Sequence, residues 1–231
     1  EFIHRFLGRL IGILFLVPLI FLTFKLGFSK TINFHIIFAL ICLQGFVGWY
    51  MVSSGLVDRV DVSHYRLALH LVLAFIILSL IFWSYLNSIK IKILNLKLNN
   101  TIPILFLLLL FTQITIGAFV SGMDAGQIYN SWPLMGSSFF PDDNKTANLF
   151  TLTAFNDPSL VQFMHRNLAY IILLFYFYIF LKVYFLKISN YFKILKLIGG
   201  VLFIQIILGI LTLLSGAQMI LASMHQISSI F

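Results

Sequence analysis

Seven stretches of this chain are apolar almost without interruption, and that pattern leaves few folds open. They cover residues 2–24, 32–53, 64–86, 102–121, 161–186, 193–215 and the chain from 217 onward. At 1.5 Å of rise per residue, a helix of about 20 residues crosses ~30 Å of hydrocarbon. In lipid each backbone N–H and C=O must find its partner inside the segment, which a helix achieves. Runs such as 36–42 and 104–111 are apolar on every side, as in helices without an aqueous face. Only 10% of the residues are charged, against about 25% in a soluble domain. A cleaved signal peptide would account for one short apolar run, not seven. The expected fold is therefore an all-α integral membrane protein.

The net charge is +8, but the basic residues form no nucleic-acid patch. They sit in the connections between apolar runs, where membrane topology places them. Alternating spans put nine of the ten lysines (Lys25, Lys30, Lys90, Lys92, Lys97, Lys182, Lys187, Lys193 and Lys196) on one side. By the positive-inside rule that side is cytoplasmic, or the matrix in a mitochondrion. All seven acidic residues and the long loop, about 122–160, fall on the other side. Cys42 is the single cysteine, so it reads as an inert thiol within an apolar helix.

An internal repeat runs at an offset of 161. Residues 1–11, EFIHRFLGRLI, match 162–172, QFMHRNLAYII, at Phe, His, Arg, Leu and Ile. The same offset superimposes Gln44, Gly48, Ser54 and Gly55 on Gln205, Gly209, Ser215 and Gly216. The matching spans point the same way, so the repeat is parallel. The span carrying Gln113, Gly117, Ser121 and Gly122 would correspond to a helix preceding residue 1. The expectation is two four-helix bundles, eight spans in the full protein and about seven in this fragment. Residues 1–97 form an N-terminal half lacking its first helix, and 98–231 a C-terminal half cut short in its last.

Four of the six histidines (His4, His70, His165 and His225) lie in the first turns of spans that run inward from the outer side. A histidine in an apolar segment is costly and usually faces a bundle interior with a partner. Facing histidines in a helical bundle are a known way to hold haem iron through imidazole nitrogen. The repeat places His4 and His165 at equivalent positions, each followed by arginine. His35, near the inner end of its span, reads as structural, and His64 lies about at the membrane boundary. All five arginines (Arg5, Arg9, Arg59, Arg66 and Arg166) are on the outer side, against the positive-inside trend. Arg5, Arg66 and Arg166 lie beside candidate ligands, where guanidinium would pair with haem propionates. The halves differ at one telling place: Glu1 in the first is Gln162 in the second. A carboxylate beside a metal centre could act as a base or stabilise positive charge, and an amide could do neither.

Several stretches together resemble the heme A synthases of bacteria and mitochondria. They are EFIHR at 1–5, QGFVGWYMVSSGL at 44–56, RVDVSHYRLALHL at 59–71, GAFVSGMDAGQIYNSWPLMG at 117–136, QFMHRNLAY at 162–170 and the His225–Gln226 pair. The resemblance implies an eight-helix oxidoreductase that converts haem O to haem A for cytochrome oxidase. The porphyrin C8 methyl becomes a formyl group through a hydroxymethyl stage. It implies that His4 and His70 serve the substrate haem, with Glu1 the catalytic carboxylate, and that His165 and His225 ligate a haem b. The farnesyl tail of haem O would lie among apolar helices. Haem O synthase and cytochrome oxidase assembly factors are the implied partners, and a homo-oligomer stays open. The implied location is the bacterial cytoplasmic or mitochondrial inner membrane, with the haem sites toward the periplasm or intermembrane space. One departure is His64, where the family usually has proline before the residue matching Tyr65.

The loop residues Asp124, Tyr129, Asn130 and Trp132 read either as a structured turn at the lipid interface or as a lid over the haem edge. Two other functional classes stay open on the sequence. One is a di-haem b-type electron-transfer subunit without substrate chemistry. The other, a repeat-built transporter, would need polar residues at the membrane midplane rather than at its outer edge.

Overall fold

The computed structural model describes residues 2–55, 62–89, 99–188 and 191–231. Seven α-helices occupy most of them: α1 (Phe2–Leu26), α2 (Phe28–Gly55), α3 (His64–Ser88), α4 (Thr101–Gly122), α5 (Pro158–Phe185), α6 (Phe192–Leu214) and α7 (Met219–Ser228). The first six are long and apolar enough to cross a membrane, which makes this an all-α integral membrane protein. The seventh has ten residues. Among the described residues the one extended pairing is an isolated bridge between Met135 and Ser138.

Two helices start earlier than hydropathy predicts, each for a local reason. The turn before α2 is made by Gly27, whose φ of +86° only glycine adopts freely. The hydroxyl of Thr31, fully buried, donates to the Gly27 carbonyl at 3.1 Å and lies 3.3 Å from the Thr23 hydroxyl. Helix α2 thus begins at Phe28 rather than 32, carrying polar residues in its first turn. Helix α5 begins at Pro158 rather than 161, because Asp157 caps it and accepts from the Leu160 N–H at 3.0 Å. Proline at the first helical position lacks only an N–H that would have been orphaned.

Within the apolar spans, hydroxyls turn back onto their own helices. Thr23 donates to Leu19 O, Ser79 to Phe75 O, Thr115 to Phe111 O and Thr212 to Leu208 O, at 2.7–2.8 Å. Each polar group is satisfied without water, as hydrocarbon demands.

The chain divides into two compact units, Glu1–Ile93 and Leu94–Phe231. In the first, α1 packs on α2 and α2 on α3; in the second, α4 packs on α5, α5 on α6 and α6 on α7. The first unit centres on Ile37, Val47, Leu73 and Ile77. The second centres on Tyr176, Val183 and Leu195, where the Tyr176 hydroxyl donates to the Leu195 carbonyl at 2.8 Å. A side chain at Gly199 would overlap that hydroxyl, so glycine is required where α6 meets α5. Large apolar side chains such as Phe24 and Leu174 stand exposed, as lipid-facing groups do.

The segment between α4 and α5 is a folded loop with short 3-10 turns at Ala125–Gln127, Thr146–Phe150 and Leu152–Asn156. Asp142 closes one bend by accepting from the Ser137 N–H at 2.6 Å and from the hydroxyls of Ser137 and Ser138. The Ser137 N–H, ahead of a weaker opposing effect of burial, holds the Asp142 carboxyl below its usual range. Gly136, at φ +85°, approaches that carboxylate too closely for any side chain.

Candidate functional site

Three histidines sit in copies of one arrangement. His70 on α3 faces Gln44 and Gly48 of α2; His165 on α5 faces Gln113 and Gly117 of α4; His225 on α7 faces Gln205 and Gly209 of α6. In each, the glutamine amide donates to the main-chain carbonyl of the histidine itself, at 3.0, 3.1 and 2.8 Å respectively. One turn later, the glycine leaves room for the imidazole. A Cβ at Gly48, Gly117 or Gly209 would stand 3.0 Å from the ring Cε1 in all three cases. The ring Nδ1 of each is buried and, among the described residues, has no hydrogen-bond partner. Gln113 also reaches to 3.4 Å from His165 Nε2, a contact whose sense depends on the tautomer.

Each of these units holds two of the predicted histidines. In the first, the rings of His4 and His70 lie 6.4 Å apart centre to centre, at 66° to one another. Two metal–nitrogen bonds of about 2 Å, plus the distance from each nitrogen to its ring centre, add to roughly 6 Å. The separation fits two imidazoles facing one metal ion. In the second unit, His165 and His225 occupy matching places, each against a glutamine and a glycine of the helix before it. Among the described residues no group of three or more His, Cys, Asp or Glu gathers as a protein-ligated metal site would require. Two axial imidazoles suffice for a metal whose equatorial positions are filled by a porphyrin, and it is this group that the residues fit.

The loop between α4 and α5 is tied down beside His165. Arg166 donates through Nη1 to the carbonyls of Ser131 (2.9 Å) and Leu134 (3.4 Å), and through Nη2 to that of Tyr129 (2.8 Å). Gln162, only 2% exposed, donates its amide to the same Tyr129 carbonyl at 3.1 Å. Asn130 bridges the Gly126 and Leu213 carbonyls at 2.9 Å each, fixing the loop to α6. Trp132 donates its indole N–H to the Tyr170 hydroxyl at 2.9 Å. Asp143 receives the hydroxyls of Ser159 (2.6 Å) and Tyr129 (2.9 Å). Burial pulls the Asp143 carboxyl upward, but these bonds and one from Asn144 outweigh it and leave it below the usual range. Burial, then the bond to Asp143, raises the Tyr129 phenol.

The remaining candidates are placed as follows. Arg66 lays its guanidinium over the Tyr50 ring, 4.9 Å from the centroid, a favourable cation–π geometry. Arg5 and His4 are exposed on the first turns of α1. His35 lies 3.1 Å from the carbonyl of Thr31 on its own helix, with its ring against Phe28. His64 opens α3 with its ring on Tyr65. Asp124 takes a left-handed turn at φ 52°. Glu1 and Arg59 lie outside the described residues.

A family model described as cytochrome oxidase assembly protein matches residues 1–231. The protein named Heme A synthase in Pelagibacter ubique is 50% identical over 238 residues, covering all of this chain and 68% of that protein. Heme A synthases of Rickettsia bellii and Rickettsia felis are 40% and 39% identical, again over all of this chain and 70% of theirs. The chain belongs to the heme A synthase family. No solved structure gives a significant match.

In this heme A synthase family member, the four histidines singled out by position fall two to each unit, with the His4 and His70 rings facing one another in the first. Sequence reasoning missed the work of the glutamines and glycines facing them. Their letters recur at a fixed spacing, Gln then Gly four residues on, and that recurrence was the available signal. It also missed Gln162 as a loop anchor, since a contact with residue 129 leaves no trace in local pattern.

Proposed function

We propose that the chain is a heme A synthase, converting haem O to haem A for cytochrome oxidase by oxidising the C8 methyl of the porphyrin to a formyl group. The observation that carries this reading is the His4–His70 pair, whose ring spacing suits a single metal between them. Its support is a chain matched along its whole length by heme A synthases. Bound haem supplies the redox-active iron that such an oxidation needs.

His4 and His70 hold and orient the substrate haem, and the apolar helices around them exclude water and take the farnesyl tail. Arg5 and Arg66 neutralise propionates from beside those ligands. Arg166 offers the same to the second haem through its remaining N–H groups, while its other donors hold the loop. Glu1, three residues before His4, accepts a proton or stabilises positive charge at the carbon being oxidised. His165 and His225 would hold a haem b, which would supply an electron-transfer centre. Haem O synthase is the partner that supplies the substrate. The membrane is the bacterial cytoplasmic or the mitochondrial inner one, with the histidines toward its outer face, a reading supported by the lysines gathered in the opposite connections.

The test is haem extraction from cells whose own heme A synthase is deleted and replaced by this protein. Haem A is expected with the unaltered chain, and haem O with Glu1→Gln or His4→Ala. Normal haem A from a double Glu1→Ala, His4→Ala variant would overturn the proposal. Indifference to Glu1→Gln, with two permanent haems b, would make the protein an electron carrier instead.

A further inference from the structure

We propose that the pairs Gln44/Gly48, Gln113/Gly117 and Gln205/Gly209 are positioning devices that set the rotamer and ring plane of His70, His165 and His225 for iron ligation. The inference rests on the haem-ligand reading above and assigns residues that reading does not use.

The argument begins with spacing. Residues four apart lie on one helical face, so each glutamine and its glycine meet the same neighbouring helix. The glutamine holds the histidine at its backbone, at 2.8–3.1 Å in all three copies. Its glycine holds the other end, because the ring Cε1 lies 3.0 Å from where a Cβ would be. That approach is closer than ordinary contact, so an alanine must displace the ring or part the helices.

A ligating imidazole is normally oriented by donating its second N–H to a carboxylate, carbonyl or water. Among the described residues, the Nδ1 of these three rings meets no protein acceptor and is buried. Backbone anchor and glycine floor take over that orienting task. Coincidence is a poor account of the match. His70 follows Gly48 by 22 residues, His165 follows Gly117 by 48 and His225 follows Gly209 by 16, yet the three geometries agree to about 0.3 Å. Other glycines of the same helices lack the contact: a Cβ at Gly45 or Gly200 would meet nothing described within 4 Å.

The test uses the purified full chain with its haem and reads electron paramagnetic resonance, reduction potential and haem retention. The g values of a ferric haem with two imidazoles report the angle between the ring planes. Gly117→Ala and Gly209→Ala should shift those g values and the potential of the second-unit haem and weaken haem retention about tenfold. Gly200→Ala should leave all three unchanged. Where an alanine variant fails to fold, Gln113→Met decides, since it keeps side-chain length and removes the amide, whose oxygen accepts no bond among the described residues; Gln205→Met also removes the acceptor of the Ser228 hydroxyl. Unaltered g values and potential in folded variants at both a glycine and its glutamine would overturn the proposal. That result differs from failure of the haem reading itself, in which His165→Ala and His225→Ala would leave the unaltered haem spectrum in place.

Discussion

The side-chain amide of Gln162 donates to the main-chain carbonyl of Tyr129 at 3.1 Å, from a position only 2% exposed. Arg166 donates to the same oxygen at 2.8 Å. Two donors from one face of α5 therefore converge on a single loop carbonyl. The repeat-equivalent residue in the first unit is Glu1. A carboxylate at 162 would be an acceptor facing an acceptor, which gives the second half a structural reason to carry an amide.

Gln162→Glu should then loosen the loop. Losing the bond and burying a carboxyl beside a carbonyl costs about 1–3 kcal/mol. Hydrogen exchange should speed up across residues 123–157 while α6 stays protected. Unchanged exchange in the loop would show that Arg166 alone suffices.

Replacing Arg166 by lysine keeps the charge and removes the fork. One ammonium cannot reproduce donors directed at Tyr129, Ser131 and Leu134 together. We expect the loop to become cleavable by added protease at about tenfold lower protease concentration, a difference of ~1.4 kcal/mol. Wild-type resistance would count against the clasp.

Acid should release the loop through Asp143. Its carboxyl is held below the ordinary value of 3.8 in the folded state, mainly because bonds from Ser159, Tyr129 and Asn144 outweigh the opposing effect of burial. A depressed folded value means the contribution is fully present above 3.8 and is lost as pH falls through that depressed value. Trp132 fluorescence should hold steady from pH 7 to pH 5 and change only at lower pH, and Asp143→Asn should remove that acid-dependent part. A transition centred near pH 6 in the unaltered protein would point to a histidine instead.

Pigment should follow the paired histidines. His4→Ala or His70→Ala should abolish one haem per chain and His165→Ala or His225→Ala the other, by a reduced-minus-oxidised spectrum and haem extraction. His35→Ala should change neither, because that ring is occupied by the Thr31 carbonyl of its own helix and by Phe28. Loss of haem at His35 would mean the ligand sets are wrongly drawn.

Much of the fold was legible because membrane spans are written locally. A run of apolar residues long enough to cross the bilayer must be helical wherever it lies, so six spans and their order follow from hydropathy alone. Errors fell at the ends, at Gly27 and at Asp157–Pro158, where a turn or a cap outweighs hydropathy. The loop from 123 to 157 was far less legible. Its shape comes from side chains reaching carbonyls of residues distant in sequence, as Asn130 reaches Leu213.

The sequence by itself determined the helical membrane architecture and the short set of histidines worth considering, because each follows from residue type and spacing along one segment. Tertiary structure alone decided which histidine answers to which. At the strict repeat offset of 161, His225 falls on His64; in space the residue against Gly48 is His70, just as His225 is against Gly209. The chain linking those helices is longer in the first unit, and a linear offset cannot carry a correspondence across unequal connections. Contact between neighbouring helices restores it, since glycine and imidazole meet wherever the helices are brought face to face.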